Sequence, residues 1–272
     1  MQIIFIGTGG GRVNLIKQFR GTGGFLIKGS VNVYVDPGPG ALLGCIKSGV
    51  DVEKINVLVV THAHIDHMND AELMLEGMTH YTMKKQGIVV ASANVLEGSE
   101  NFDRSISRYH QGKVEKCVVG KSGDKIKLGE NAELELTKVN HDDKSGFGFV
   151  LKMDGKKLGY TSDTEYEKGF GKQFAGVDYL IVNNLKPLDD GIPDHLSTKD
   201  SIEIIKEAKP KLAILSHLGM EFIKKPAEVE AEFVREKTGV ETIAARDGMK
   251  IGEEVAEEKG KTKKKEKKLS EY

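Results

Sequence analysis

The chain has 272 residues, of which 39% are hydrophobic and 30% charged, proportions typical of a globular protein with a well-solvated surface. Its formal net charge of −1 excludes a general electrostatic attraction to nucleic acid or anionic membranes, so any polyanion would need a local basic patch. Two cysteines, Cys45 and Cys117, are too few for a disulfide framework, and no apolar run is long enough for a signal peptide or membrane span; we therefore expect a cytoplasmic protein.

The N-terminal residues are predicted to form a strand, a glycine-rich loop and a hairpin. The loop after the strand at 2–6 has the sequence GTGGGR. A dinucleotide-binding GxGxxG motif would need glycine at its last position, which is Arg12, so we expect a flexible loop that approaches a functional site. The alternating stretches FLIKG and VNVYVDPG predict the hairpin, and a short helix is expected over 41–47.

A short β-branched run, INVLVV, predicts a buried strand over 55–60, and THAHIDH follows it directly. His62 and His64 are two residues apart, so on extended backbone their side chains share one face and one ion. Asp66 and His67 come where the chain turns and can point to a second ion. Imidazole and carboxylate suit zinc, and less selectively manganese or iron. The next segment, 70–85, is predicted to be an amphipathic helix.

The middle of the chain is predicted to be mostly strands, at 87–93, 114–119, 125–129, 132–140, 146–153 and 156–162. Strand ends are where an α/β architecture places its ligands; His141 follows one of these strands and Asp163 another. The polar segment 101–110 is predicted to be either a loop or helix over the site entrance or an ordinary solvated connection, and we favour the connection.

The last third alternates strands and helices. A strand is expected at 178–183, and a capping box from Ser197 to Asp200 starts a helix. His195 therefore lies just before a helix N-terminus, where backbone N–H groups favour an anion. A strand ends at His217, a helix covers 227–237, and two short strands follow. Residues 253–272 are almost entirely charged, which predicts a solvated tail, with contact to an RNA backbone as the alternative.

The HxHxDH motif after a buried strand, followed in order by His141, Asp163 and His217, resembles the signature of the metallo-β-lactamase fold superfamily. The resemblance covers roughly the first 250 residues and implies an α/β fold, an αββα sandwich of two mixed β-sheets flanked by helices, over residues 1–252. It implies two divalent ions, which we expect to be Zn²⁺, with Mn²⁺ or Fe²⁺ as alternatives. The implied ligands are His62, His64 and His141 for the first ion, Asp66, His67 and His217 for the second, and Asp163 as the bridge.

The same resemblance implies a dinuclear hydrolase whose nucleophile is a metal-bridging hydroxide. Redox relatives carry glutamate in place of His64, and metallo-β-lactamases proper are usually secreted and lack a counterpart of Asp163, so neither activity is expected. His195, in the sequence HLST, resembles the phosphodiesterase branch, which includes tRNA 3′-processing (tRNase Z-like) enzymes. There such a histidine contacts the phosphate and protonates the leaving oxygen. Asp66 and His195 are the candidate catalytic residues.

Three alternatives stay open at this point. A tRNA 3′-processing endoribonuclease would carry a Gly/Pro-rich arm, and nothing between His67 and His141 resembles one, so a general phosphodiesterase is favoured. A carboxyl-ester, thioester or lactone hydrolase would use the same metals. A noncatalytic metal-binding module is disfavoured because all seven ligands are present. The expected partner is a small phosphodiester or a nucleic acid and not a membrane, and a homodimer is compatible with the sequence.

Overall fold

The computed structural model describes residues 1–187 and 192–253. All but the first residue of the predicted C-terminal tail lies outside this range. The described strands are β1 Gln2–Phe5, β2 Phe25–Lys28, β3 Val33–Val35, β4 Val57–Val60, β5 Ile88–Ala91, β6 Lys116–Val119, β7 Lys125–Gly129, β8 Ala132–Lys138, β9 Phe147–Met153, β10 Lys156–Tyr160, β11 Tyr179–Lys186, β12 Leu196–Ser197, β13 Leu212–Ser216, β14 Thr242–Ala244 and β15 Lys250–Gly252.

The described helices are α1 Gly11–Lys17, α2 Ala41–Lys47, α3 Ile65–Met68, α4 Ala71–Met78, α5 Ala93–Leu96, α6 Arg108–Gln111, α7 Thr198–Ala208, α8 Glu221–Lys224 and α9 Ala227–Thr238, with 3₁₀ helices at Val52–Lys54 and Phe170–Phe174. Within the described ranges no helix combines the length and the apolar character needed to cross a membrane.

Two mixed sheets face each other. The first has the strand order β15-β1-β2-β3-β4-β5-β6, and the second has the order β14-β13-β11-β10-β9-β8-β7, with β12 beside β11. In the first sheet β3 to β6 are parallel and β1, β2 and β15 antiparallel. In the second, β10, β11, β13 and β14 are parallel. Two mixed sheets with helices outside are the fold predicted from the sequence, and the prediction is confirmed.

The sheets bury a common apolar layer. The alternating strand β8 turns Leu134 and Leu136 inward while Glu133 and Glu135 stay partly exposed, as the period of two requires. These leucines pack in one cluster with Phe5 and Phe25 of the opposite sheet. A second cluster lies between the first sheet and helices α2 and α4, and a third between the second sheet and helices α7 and α9. The result is four layers, helix–sheet–sheet–helix.

Two predicted segments differ from the structure. The helix expected over 70–85 ends at Met78, since His80, Tyr81 and Thr82 take left-handed backbone angles. The side chains of His80 and Tyr81 both contact Glu53, which draws the chain away from the helix axis. The loop expected over 7–12 stops early, because helix α1 begins at Gly11; Asn14 of this helix donates a hydrogen bond of 3.1 Å to the carbonyl of Leu218.

Candidate metal centre

Four strands of the two sheets and one short helix meet at one edge of the sandwich, and each brings a polar side chain there. His62 and His64 follow β4, and Asp66 and His67 lie on the short helix α3. His141, Asp163 and His217 follow β8, β10 and β13. Because strands running in the same direction end at the same edge, side chains that are far apart in sequence meet, and the structure brings all seven sequence-predicted ligands together.

The first group consists of His62, His64 and His141, whose ligand atoms all lie within 4.8 Å of one another. The ring of His62 lies 5.0 Å from that of His64 and 4.8 Å from that of His141, measured between centroids. His62 and His141 are buried, whereas His64 is partly exposed. Three imidazoles in this arrangement match the donor set that binds zinc in enzymes.

The second group consists of Asp66, His67 and His217. Nε2 of His217 lies 3.1 Å from Nε2 of His67 and 3.4 Å from Oδ2 of Asp66. Two imidazole nitrogens and a carboxylate oxygen therefore converge on one point beside the first group. This mixture of nitrogen and oxygen ligands also suits a divalent transition metal.

Asp163 lies between the two groups. Its Oδ2 atom is 3.8 Å from Nε2 of His62, 3.2 Å from Nε2 of His67 and 3.4 Å from Nε2 of His217. Its other oxygen, Oδ1, accepts a hydrogen bond of 2.6 Å from the side-chain amide of Asn183. Asn183 thus orients the carboxylate so that one oxygen faces both groups, as a bridging ligand requires.

Several nitrogen atoms of the cluster lack hydrogen-bond partners, which favours a cation at this site. Nε2 of His62, Nδ1 of His217 and both ring nitrogens of His141 are buried and have no hydrogen-bond partner among the described residues. Buried polar atoms are seldom left unpaired in native proteins. Asp142 Oδ1 lies 2.8 Å from Nδ1 of His141 but outside hydrogen-bonding geometry. Metal coordination would satisfy Nε2 of His62 and one ring nitrogen of His141.

A hydrogen-bond chain fixes the proton on His62. The hydroxyl of Thr61 donates to Oδ2 of Asp36 at 2.8 Å, so it can only accept from Nδ1 of His62, 3.1 Å away. It also accepts from the hydroxyl of Ser162. Nδ1 therefore carries the proton, and Nε2 presents its lone pair to the cluster.

Asp36 fixes the proton of His67 on Nδ1 in the same way. Its Oδ2 atom lies 3.0 Å from Nδ1 of His67 and accepts a hydrogen bond of 2.9 Å from the hydroxyl of Tyr160. A carboxylate behind a ligand histidine fixes the ring orientation and increases its basicity. The sequence analysis predicts a hairpin strand around Asp36 but assigns no role to Asp36, Thr61, Tyr160 or Asn183. The one available signal was an aspartate at a strand end.

Burial and the nearby carboxylates shift the titration of these groups. Burial holds the pKa of His62 and of His141 below the ordinary value. Burial also opposes a charge on His67, but Asp163 and Asp66 outweigh it and raise its pKa. For Asp163, burial is likewise opposed by His217 and His67, which hold the pKa of the carboxyl well below its usual range. The carboxylates therefore stay ionised, and a bound cation would replace the proton on His67.

His195 lies at the edge of this cluster. Its Nδ1 atom is 3.5 Å from Oδ2 of Asp163, and its ring centroid is 5.6 Å from that of His141. Its ligand atoms fall within one group with His141 and Asp163, so the geometry also allows His195 to contact a metal. Helix α7 begins at Thr198 behind it, with the predicted capping box between Ser197 and Asp200 formed.

Two neighbouring segments contact the site. The ring of Phe102 lies 6.1 Å from that of His64, so the start of the segment 101–110, predicted as a solvated connection, reaches the edge of the cluster. On the other side, a Cβ atom built on Gly10 would lie 2.1 Å from Nδ1 of His217. The glycine-rich loop thus approaches the site closely, as its sequence suggested, and only glycine fits there.

The cluster forms the floor of an open cavity of about 750 Å³. Its floor contains His64, Asp66, His141, Asp163 and His195, and its walls come from helix α1 and from residues 185 and 192–194. This volume lies within the range of small-molecule sites. The arrangement therefore combines a buried candidate cation site with an open cavity directly above it.

Comparisons with known proteins agree with this geometry. Residues 31–218 match the family model described as "Beta-lactamase superfamily domain". The chain is 36% identical over 254 residues to the uncharacterized protein MJ1374 of Methanocaldococcus jannaschii, covering 92% of this chain and 94% of that relative. Among solved structures, the metallo-beta-lactamase fold protein YhfI from Bacillus subtilis has a TM-score of 0.75 at 18% identity, with 92% and 98% of the two chains covered. A diphosphatase from the PhnP family has a TM-score of 0.66 at 17% identity, with 94% and 99% covered.

Proposed function

Because the chain belongs to the metallo-β-lactamase superfamily of metal-dependent hydrolases, we propose that it is a dinuclear phosphodiesterase. The first group (His62, His64 and His141) would hold one ion, and the second group (Asp66, His67 and His217) would hold the other. Asp163 would contact both ions. Two divalent ions bound there would lower the pKa of a shared water and supply the nucleophile near neutral pH. Zinc suits the donor set best, with manganese or iron as alternatives.

The observation that carries the phosphodiester assignment is the position of His195. Its side chain is 19% exposed and lines the cavity beside the ligand cluster. It is therefore open to a substrate, unlike His62 and His67. Burial lowers the pKa of His195, against the opposing effect of Asp163, and so favours the neutral imidazole in the free protein. A phosphate anion beside it would favour the protonated form, which can then donate a proton to a leaving oxygen.

Other residues of the site would position the ions and orient the ligand histidines. Asp163, oriented by Asn183, keeps the two cation positions together. Asp36 and Thr61 hold His67 and His62 in the tautomers that present Nε2. Asp66, whose pKa is held well below its usual range by His67 and His217 against the effect of burial, stays ionised and faces the cavity. We assign to Asp66 the role of a ligand that borders the reacting water.

One observation favours a second function. Much of the cavity wall is apolar, and such a wall would also accept the acyl part of a thioester, lactone or carboxyl ester. That reaction would use the same ions and would make no use of an acid at position 195 when the leaving group is a thiolate, which leaves without protonation.

A substrate panel separates the two functions. Zinc-reconstituted protein would be assayed against bis-p-nitrophenyl phosphate, an acyl thioester and a lactone, with His62→Ala as the metal-site control. We expect turnover of the phosphodiester, and none in the variant. Inertness towards the phosphodiester combined with His62-dependent cleavage of the thioester or lactone would replace the phosphodiesterase by the second function.

A further inference from the structure

The cavity above the ligand cluster has one apolar side. Helix α1 contributes Val13 and Ile16, and Leu185, Ile192 and Pro193 face the same space. Val13 is 55% exposed and Ile16 is 77% exposed. Large apolar side chains left open to water beside an active site gain free energy when a ligand covers them. The wall therefore favours a substrate with an apolar part.

The charges of the same cavity limit the number of phosphates. Of the described lining residues, apart from the histidines, Arg12 alone is cationic, and four aspartates, at positions 66, 142, 163 and 194, accompany it. Proteins that bind nucleic-acid strands line their grooves with many lysines and arginines. A cavity with a single arginine lacks that character and suits a ligand with one phosphate group.

Arg12 is also available to bind an anion. It is exposed at the start of helix α1, and none of the described residues forms a hydrogen bond or ion pair with it. An unpaired guanidinium group presents several N–H donors in one plane, and a phosphate can accept two of them at once. Arg12 and Ile16 are four residues apart on helix α1 and therefore lie on the same face, and both line the cavity.

We propose that the substrate is a small phosphodiester with one apolar ester group, alkyl or aryl, which packs against Val13 and Ile16 while Arg12 faces the phosphate. This inference rests on the proposed function and specifies its substrate class. In the reaction, the oxygen of water forms a new P–O bond, one ester P–O bond breaks, and the departing alcohol takes up the proton. The products are a phosphomonoester and an alcohol.

The test compares two substrates that share a leaving group, methyl p-nitrophenyl phosphate and phenyl p-nitrophenyl phosphate. In the wild-type protein we expect kcat/KM to be about tenfold higher for the phenyl ester, the usual effect of a small apolar contact. Ile16→Ser should reduce this ratio several-fold, because kcat/KM for the phenyl ester should fall by a larger factor than kcat/KM for the methyl ester. Leu43→Ser is the matched control, because Leu43 is 63% exposed on helix α2 and does not line the cavity.

Binding measurements separate failure of this inference from failure of the proposed function. Isothermal calorimetry of the zinc-loaded protein should show tighter binding of diphenyl phosphate than of dimethyl phosphate, and Ile16→Ser should remove the difference. If the protein hydrolyses neither phosphodiester yet shows this binding pattern, the phosphodiesterase assignment fails and the apolar subsite stands. Equal kcat/KM for both esters, unchanged in Ile16→Ser, or a short RNA cleaved better than the phenyl ester, would overturn the inference itself.

Discussion

Oδ2 of Asp36 lies 3.0 Å from Nδ1 of His67, and the side chains of both residues are only 3% exposed. This buried pair leaves Nε2 of His67 free to face Asp163 and His217. Asp36→Asn should therefore weaken binding at the Asp66–His67–His217 position by about 10–100-fold, the usual cost of losing a carboxylate behind a ligand histidine. Zinc affinity would be measured by competition with a chromophoric chelator.

Asp103→Asn is the control for this change, because Asp103 is exposed and outside the cluster. It should leave both zinc affinities unchanged. If Asp36→Asn binds two zinc ions as tightly as the wild type, the carboxylate serves only to connect β3 with Thr61 and Tyr160. The prediction that it supports His67 as a metal ligand would then be wrong.

Gly10 offers a purely steric test of the site. Its backbone angles, φ −140° and ψ 165°, are accessible to any residue, yet an added Cβ would lie 2.1 Å from Nδ1 of His217. Gly10→Ala should displace the imidazole and lower affinity for the second ion at least about tenfold, with little loss of secondary structure by circular dichroism. Gly112→Ala, whose nearest neighbours are 3.4 Å away, should change neither property. Wild-type zinc binding by Gly10→Ala would show that His217 is not a ligand.

The buried, unpaired nitrogens of the cluster predict that metal stabilises the fold. Reconstituted protein should contain two ions per chain by elemental analysis. Saturating zinc, at about 100 times its dissociation constant, should add about 2.7 kcal/mol of stability and raise Tm by about 5–10 °C. His141→Ala should lose one ion and part of this gain. His80→Ala, which removes a histidine paired with Glu53, should retain both ions. A Tm independent of zinc would contradict the prediction.

Glu72 predicts a pH-dependent contribution to stability away from the site. Burial raises its pKa, but hydrogen bonds from Ser107 and the nearby His110 outweigh burial and lower it below 4.5. A carboxyl with a depressed folded pKa stabilises the protein above its unfolded pKa, and this contribution is lost as pH falls through the folded pKa. Glu72→Gln should therefore destabilise at pH 7 and much less at pH 3.5.

Solvent screening keeps the expected loss below about 1 kcal/mol, because the Glu72 side chain is 38% exposed. Urea unfolding of the metal-free protein at the two pH values would measure it, with Glu236→Gln on the exposed face of α9 as the control. A loss of equal size at pH 7 and pH 3.5 would assign the effect to packing and not to ionisation.

The cluster could be predicted from the sequence because its chemistry is partly local. His62 and His64 lie two residues apart after a buried strand, and such spacing fixes their relative positions without knowledge of the fold. His141, Asp163 and His217 are isolated in the sequence, and the family resemblance supplied their grouping. The sheets were predictable because strands such as β8 alternate cleanly between apolar and polar residues.

The features that were missed depend on contacts between distant parts of the chain. Asp36 contacts Tyr160, 124 residues away, and Asn14 anchors helix α1 to Leu218, 204 residues away. Three glycines precede that helix and weaken its local signal. The end of helix α4 is likewise set by contacts of His80 and Tyr81 with Glu53. No periodicity within the segment encodes such contacts.

His195 gives the sharpest test of the reaction. If it donates a proton to the leaving oxygen, His195→Ala should retain two ions per chain and the thermal stability of the wild type. Its kcat for a phosphodiester with a poor alkoxide leaving group should fall by about 10²–10⁴-fold, the usual contribution of general acid catalysis. Hydrolysis of a p-nitrophenyl diester should fall much less, because p-nitrophenolate leaves without protonation.

Elemental analysis of His195→Ala decides between this role and coordination. His141, Asp163 and His195 form one of the possible ligand groups, so loss of an ion in the variant would make His195 a ligand. Both substrates would then lose activity together, as they should in Asp163→Ala, which disrupts the centre. Two retained ions with equal losses for both leaving groups would instead make His195 a positioning residue. The role of His195 as general acid is supported only if the variant keeps both ions and loses more kcat with the poor leaving group than with p-nitrophenolate. Loss of proton donation affects the two substrates differently, whereas loss of metal affects both.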